Sequence, residues 1–447
     1  MVSPLSVSFA IFAIGGYFAT YWFPPKHRVT LLSLLSVAFY AWIDTRSAFL
    51  LLCLTFIVKQ VVTYQGASLK RRNVGLLATT GALTLWRFIP ETVRFFNTEL
   101  DSWWIPLSSG FLALQAMIII MDVYRKDADV LGYRETLLML GFFPKVLAGP
   151  LVRTGSFLYN LKRMPSDVNF NEVGALIASA SIKKYALSVP LESLASLVVP
   201  SSLGLSKIDL IVMFLVGPVR FVIDISAYTD LARAAGKMCG IDLPVNMRNP
   251  FGARTVSDFL RRWHVTVSGF FRDYVLAEIT TPKTKGWLYC VATVFTCSLI
   301  GVWHAPGVST VLWGVFIGLP VGIDQLRARR GGERRRGGRF GAVRTIAYYG
   351  LLSPLYTNDT VMHNLRMIGN LFSLDGFSRP ETPYWGFVVL GSGIVWFSGA
   401  MSWTRPFVDR VISKTSVWVF LPAVAVVVSF FAGFSGPGIA NFIYQGL

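Results

Sequence analysis

The chain has 447 residues, of which 53% are hydrophobic and only 15% charged, with a mean hydropathy of +0.53. Soluble chains carry roughly 25% charged residues, so an ordinary soluble domain is excluded and the charges must cluster between long apolar runs. The balance of 42 basic and 24 acidic residues gives +18. In a soluble chain this would suggest nucleic acid, but Lys/Arg-rich cytoplasmic loops and anionic headgroups explain it in a membrane protein, with membrane lipids as partners and no nucleic acid.

In chain order, apolar segments recur near 4–23, 29–43, 47–64, 74–86, 105–121, 133–150, 172–195 and 208–223. They continue near 287–302, 308–324, 343–357, 384–398 and 416–433. A bilayer core about 30 Å thick needs ~20 apolar residues per helix, and several segments are short or broken by Gly, Pro or charge. Those are expected to be re-entrant or buried inside the bundle. The expected fold is all-α: a polytopic integral membrane protein with about eleven transmembrane helices plus re-entrant or interfacial helices around a central tunnel. The first segment ends in Tyr21-Trp22-Phe23 without a basic leader or a small-residue cleavage site, so it reads as a retained span rather than a signal peptide. No internal repeat is visible, which argues against an inverted-repeat transporter. The whole chain, 1–447, reads as one membrane-embedded domain.

Basic clusters set the orientation. Lys26-His27-Arg28, Lys70-Arg71-Arg72, Arg125-Lys126, Lys283 and Lys285, and the Arg-rich run at about 326–345 should face the cytoplasm. The N-terminus then falls outside. The Gly-Gly pairs in the Arg-rich run indicate a flexible loop.

The four cysteines, Cys53, Cys239, Cys290 and Cys297, lack CxxC spacing and sit in apolar sequence, so they read as small buried hydrophobes and no metal site is indicated. Of the four histidines, His27 and His363 lie in polar surroundings and read as surface residues. His264 lies in a polar stretch from Ser257 to Tyr274. At helical spacing, Ser257, Arg261, His264, Ser268 and Arg272 share one face, either lining a wet cavity in a buried helix or lying at the membrane interface. His304 stands between two apolar runs, in Gly301-Val302-Trp303-His304-Ala305-Pro306-Gly307. It is either in broken helix near membrane depth, where ionisable residues are functional candidates, or in a loop at the water boundary.

Imidazole suits acyl transfer because its pKa lies near working pH and the neutral ring can take a proton from an attacking hydroxyl. Trp303 would wall such a site and Arg261 or Arg272 would hold anionic groups of a donor. No GxSxG, Walker or GxGxxG pattern occurs, which argues against a serine hydrolase or nucleotide-driven pump.

Four stretches resemble the membrane-bound O-acyltransferase family, in its bacterial branch of alginate O-acetylation and teichoic-acid D-alanylation membrane proteins. Gly141-Phe142-Phe143-Pro144-Lys145-Val146-Leu147-Ala148-Gly149-Pro150-Leu151-Val152-Arg153 is similar to the family's FFP-x-LLAGP-[IL]-xR. Asp224-Ile225-Ser226-Ala227-Tyr228-Thr229-Asp230 resembles DFSGYSD. Arg261-Arg262-Trp263-His264 through Phe271-Arg272-Asp273-Tyr274-Val275 looks like RRWHITLS-xWFRDYVY, and Val302-Trp303-His304 with Leu312-Trp313-Gly314 looks like LWHG…LWG. Together they cover about 140–325 in the family's order.

The resemblance implies that His304 is the catalytic histidine and His264 the second family histidine near the tunnel; Trp303, Arg261, Arg272 and Asp273 are expected to contact substrate. It implies no bound cofactor. An acyl thioester donor, acetyl-CoA or an acyl carrier protein, arrives from the cytosol. A hydroxyl acceptor, here expected to be a cell-surface or secreted polysaccharide, approaches from the opposite side, with an extracytoplasmic esterase-like partner protein and a location in the bacterial inner membrane. Ala305-Pro306 replaces the family's Gly-Ala, and Leu276-Ala277-Glu278-Ile279-Thr280-Thr281 replaces IPLGGN. Both departures leave the acceptor open, so D-alanyl or longer acyl transfer to another surface polymer or small molecule stays in view, as does a non-catalytic channel for an acyl carrier.

The orientation is testable. Single cysteines placed at Gly331 or Gly337 should resist an impermeant thiol reagent in intact cells and react after permeabilisation; ready labelling of intact cells would invert the topology.

Overall fold

The computed structural model describes residues 7–64, 69–86, 104–146, 149–163, 168–198, 206–331, 340–356, 361–373 and 382–395, with residues 89 and 338. Every regular element among them is helical. Among the described residues, three helices are long and apolar enough to cross a membrane: Thr45–Thr63, Gly286–His304 and Val308–Arg329. A shorter apolar helix spans Ser8–Tyr21. The apolar segment expected near 416–433 and most of the Arg-rich loop, including Gly337, lie outside the described residues. The chain divides into two compact units, one of residues 1–177 and 228–245, the other of 178–227 and 246–447.

The first unit begins with α1 (Val7–Tyr21), α2 (Pro25–Ile43) and α3 (Thr45–Thr63). The Asp44 carboxylate caps α3 by accepting from the Arg46 and Ser47 backbone N–H groups at 3.2 and 3.1 Å, which satisfies donors that a helix start leaves orphaned. Phe9, Phe12, Phe39 and Phe143 form an aromatic core with ring centroids 5.0 to 6.1 Å apart. After α4 (Leu69–Leu76), α5 (Ser109–Arg125) and α6 (Tyr133–Gly141), the Phe-Phe-Pro-Lys stretch folds back under α5. Buried Lys145 donates to Gln115 Oε1 at 2.9 Å and to the Met139 carbonyl, and Gln115 Nε2 donates to the Val152 carbonyl at 2.9 Å. A Cβ on Gly149 would lie 2.2 Å from the Lys145 Cα, so only glycine fits that return.

Helices α7 (Thr154–Lys162), α8 (Phe170–Ser181) and α9 (Val189–Val198) lead to α10 (Lys207–Met238), the longest helix among the described residues. The part of α10 in the first unit carries Tyr228, whose hydroxyl donates to the Pro144 carbonyl at 3.0 Å. Just beyond its end, Arg28 is buried and donates to the Cys239 and Gly240 carbonyls at 3.2 and 2.7 Å and to the Arg163 carbonyl at 3.3 Å. This member of the first basic cluster is therefore structural: a cation meets the unsatisfied carbonyls and negative dipole of a helix C-terminus.

In the second unit, the earlier part of α10 carries Asp224, which meets Lys184 at 2.6 Å and Ser188 Oγ at 2.9 Å with both charged side chains buried. Removing one partner of such a pair strands a buried charge. After α11 (Val256–Arg262), α12 (Val265–Phe270) and α13 (Ala277–Ile279), α14 (Gly286–His304) and α15 (Val308–Arg329) form an antiparallel hairpin. Gly314, Gly318 and Gly322 recur every fourth residue along α15 and face α14. A Cβ on Gly314 would lie 2.3 Å from the Ser298 Cα and one on Gly318 2.7 Å from the Val294 Cα. Backbones that close depend on small residues at the crossing. Helices α16 (Gly341–Leu352), α17 (Val361–Phe372) and α18 (Tyr384–Val395) complete the described unit.

Gly314→Ala should therefore destabilise the protein by about 1–3 kcal/mol, the usual cost of overpacking, and lower its unfolding midpoint in detergent. Gly217→Ala, where nothing lies within 4 Å, should be neutral or mildly stabilising as a helix substitution. Equal midpoints for the two variants would show that the close approach is not required.

Candidate active site

The polar stretch around His264 is not the continuous helix that its spacing suggests. The Thr255 side chain caps α11 by accepting from the Asp258 N–H at 3.1 Å, and α11 ends as Trp263 N–H donates to the Phe259 carbonyl at 2.8 Å. His264 then adopts a left-handed backbone with φ 46° and ψ 51°, and α12 starts at Val265. The cause is a tie from outside the stretch. The Asn246 carbonyl accepts from Val265 N–H at 2.8 Å, and Asn246 Oδ1 accepts from the Thr266 N–H and hydroxyl at 3.2 and 2.8 Å. Left-handed backbone at a non-glycine residue costs about 1–3 kcal/mol and persists only where surrounding bonds over-determine it.

The break separates residues that a continuous helix would have put on one face. Arg261 and Arg272, with Ser257 and Ser268, line a cavity of about 830 Å³. His264 instead turns into protein and is 1% exposed. Asn246 Nδ2 and Oδ1 lie 3.0 and 3.2 Å from His264 Nδ1, so the amide holds the ring through that nitrogen. His264 lies outside the three candidate spans, and burial pushes its pKa down to about 3.

His304 ends α14, 2% exposed, with its ring 6.1 Å from that of His264. The α14–α15 hairpin holds it there, since Gly301, one turn earlier, leaves no room for a side chain against the Thr310 carbonyl. Trp263 stacks on His304 at 5.9 Å and 22°, Trp303 lies 4.6 Å away, Tyr356 5.2 Å and Phe221 5.9 Å. Trp303 also contacts the His264 ring at 6.3 Å. Trp313 closes the far side against Trp263 and Tyr356 at 6.0 and 5.1 Å. The Trp263 indole N–H is buried without a hydrogen-bond partner among the described residues.

The cavity lies beside this aromatic box. Arg248, Arg261, Arg272 and Arg329 line it, and Asp324 accepts from Ser257 Oγ at 2.8 Å on its wall. Neither histidine is in the lining, which approaches them through Val265, Phe271 and Ile300. Phe271 packs on Trp303 at 6.4 Å, so an aromatic layer separates the cavity from His304. Asp273 holds Arg272 through bonds of 2.6 and 3.1 Å and is placed as a partner of that guanidinium rather than on the cavity wall. Among the described residues no His, Cys, Asp and Glu cluster is placed to hold a metal ion.

Of the residues singled out from sequence, His264, His304 and Trp303 come together, while Arg261 and Arg272 line the cavity and Asp273 pairs with Arg272 behind it. Asn246, Phe221 and Tyr356 were missed. Asn246 stands 18 residues before His264, and Phe221 and Tyr356 carry no chemical signature that sets them apart from core aromatics.

No family model matches the chain. Among curated proteins it is 24% identical over 291 residues to a peptidoglycan O-acetyltransferase of Helicobacter pylori, covering 56% of this chain and 54% of that protein. It is 24% identical over 322 residues to a probable alginate O-acetylase of Pseudomonas fluorescens, covering 67% of this chain and 61% of that protein. A teichoic acid D-alanyltransferase of Streptococcus thermophilus is 22% identical over 239 residues, with 50% and 58% covered. These relatives are membrane-bound O-acyltransferases. The chain thus spans between 54% and 61% of their lengths. An acyltransferase relationship is what the two-histidine box and the arginine-lined cavity have to be read with.

The charge state of His264 is directly testable, because the chain has only four histidines. ¹⁵N-histidine NMR should show a neutral ring signal that is missing in His264→Gln. A pKa lowered to about 3 keeps that ring neutral across roughly pH 5–8, where ordinary histidine changes charge. A His264 signal that titrates in that window would refute the assignment.

Proposed function

We propose that the chain is a membrane-bound O-acyltransferase that moves an acyl group, most simply acetyl, from a cytosolic thioester to a hydroxyl of a cell-surface or secreted polysaccharide. The observation that carries this reading is the pair of buried histidines 6.1 Å apart in an aromatic box, beside a cavity lined by four arginines. The relatives named above, acetyltransferases among them, support the reaction class.

In this mechanism the arginines hold the anionic part of the donor, acetyl-CoA or the phosphopantetheine of a carrier protein. The thioester reaches past Phe271 and Trp303 toward His304. Neutral His304 takes the proton from the acceptor hydroxyl as its oxygen forms a bond to the acyl carbon. The resulting oxyanion is met by the Trp263 indole N–H, a buried donor in the box. The C–S bond then breaks, and the proton on His304 passes to the departing thiolate. The products are an ester and a free thiol, with no net proton change and no metal. The aromatic walls keep out water that would otherwise hydrolyse the thioester.

The reading places the chain in the bacterial inner membrane with its N-terminus outside, and an extracytoplasmic esterase-like partner would complete delivery to the polymer. D-alanyl transfer is a second reading, favoured by the teichoic acid D-alanyltransferase relative. Donor labelling separates the two: envelope polymer should acquire label from acetate rather than from D-alanine.

His304→Gln and His304→Ala should each lower acyl transfer at least ~10²-fold, the usual worth of general-base catalysis, at unchanged protein abundance. Near-normal product acylation in both variants would remove His304 from the chemistry and favour a transport role.

A further inference from the structure

A second cavity opens on the outer face of α14, outside the site described above. It has a volume of about 680 Å³ and runs from the turn before the helix, where Lys283 and Lys285 stand, along Trp287, Val291 and Phe295. Those three apolar side chains recur at i, i+4 and i+8, so they form one stripe about 12 Å long. They are 58%, 56% and 51% exposed on a helix apolar enough to cross a membrane, whose other face packs on α15. The stripe therefore faces hydrocarbon, and the lysines stand where it meets headgroups.

The turn carrying the lysines is itself ordered. Thr284 N–H donates to the Thr281 carbonyl at 3.0 Å and Thr281 N–H to Thr284 Oγ1 at 2.8 Å, with Pro282 at the turn position that proline favours. Among the described residues neither lysine forms an ion pair; the acid closest in sequence is Glu278.

We infer that this groove binds one anionic phospholipid, its phosphate held by Lys283 and Lys285 and an acyl chain lying along Trp287, Val291 and Phe295. Charge complementarity selects the occupant. Two cations at the end of an apolar stripe match a phosphate above an acyl chain, and each lysine near an anionic surface favours it about five-fold.

The site also has a route to the larger cavity. Thr284, in the groove wall, accepts from Arg329 Nη1 at 2.8 Å, and the same guanidinium lies 3.9 Å over the Tyr289 ring. Arg329 and Tyr289 both line the arginine-rich cavity. A lipid that steadies the 281–285 turn thereby holds Arg329 at the cavity wall, where it would raise affinity for an anionic donor without touching the reacting atoms. This last step rests on the reading of that cavity as the donor site; the lipid site does not.

The test has two arms. In native mass spectrometry of the purified protein, retention of phosphatidylglycerol should exceed that of phosphatidylcholine. The double substitution Lys283→Gln with Lys285→Gln should weaken phosphatidylglycerol binding roughly 25-fold, two five-fold contributions. Lys70→Gln with Arg72→Gln removes the same charge from helix α4 and should have little effect. Equal weakening by both pairs, or none by the first, would overturn the lipid site. In nanodiscs, coenzyme A should bind several-fold more tightly with phosphatidylglycerol present than in phosphatidylcholine alone, and the Lys283/Lys285 pair should abolish the difference. An unchanged difference in that variant would overturn the coupling. Absence of coenzyme A binding in every preparation would instead count against the donor reading, which the mass-spectrometric arm does not use.

Discussion

The arrangement of the site depends on the bond set that Asn246 makes to the turn at His264. The backbone carbonyl and side-chain oxygen of Asn246 take up the N–H groups of Val265 and Thr266, groups that a continuing helix would have directed to earlier carbonyls. With those donors satisfied elsewhere, the chain can leave the helix at Trp263, pass through a left-handed residue and begin again. The strain at His264 is offset by this local network. The result sorts side chains by chemistry: guanidinium groups go to the wet cavity, and the imidazole goes to the dry box.

That sorting matters because the two environments act on charge in opposite ways. At the cavity, Asp273 holds the Arg272 guanidinium and keeps it charged and able to meet an anion. In the box, burial keeps His264 neutral. Two buried imidazoles then face one another in the box. The proposed acyl transfer would draw on that setting, since donors aimed at a developing oxyanion are worth most where the surroundings are dry.

The second constraint is the close approach of α14 and α15. Glycines at every fourth position bring the two backbones together, and His304 sits at the end of the helix so held. Its place against Trp263 and Tyr356 is thus a consequence of helix packing as much as of the turn after it. The same hairpin leaves the opposite face of α14 to the membrane, so a groove for lipid and the wall of the arginine-lined cavity share one short turn.

Apolar runs too long and too poor in charge for a soluble fold determined the helical, membrane-embedded class from the chain alone. The rarity of histidine between such runs also marked His264 and His304 before any coordinates, because ionisable groups there are costly. Periodicity misjudged 257–274, reading one polar face where the structure has two short helices. Local spacing carries no information about Asn246, whose hydrogen bonds come from outside the stretch. Arg28 shows the same limit: as sequence it is one of a basic cluster, yet its position against the carbonyls beyond α10 makes it a cap. Phe221 and Tyr356 became site residues only through packing, since an aromatic ring next to an imidazole looks in sequence like any other core aromatic. Pattern and composition act over a few turns of helix and determined what the elements are; contacts between residues far apart in the chain decided which side chains meet.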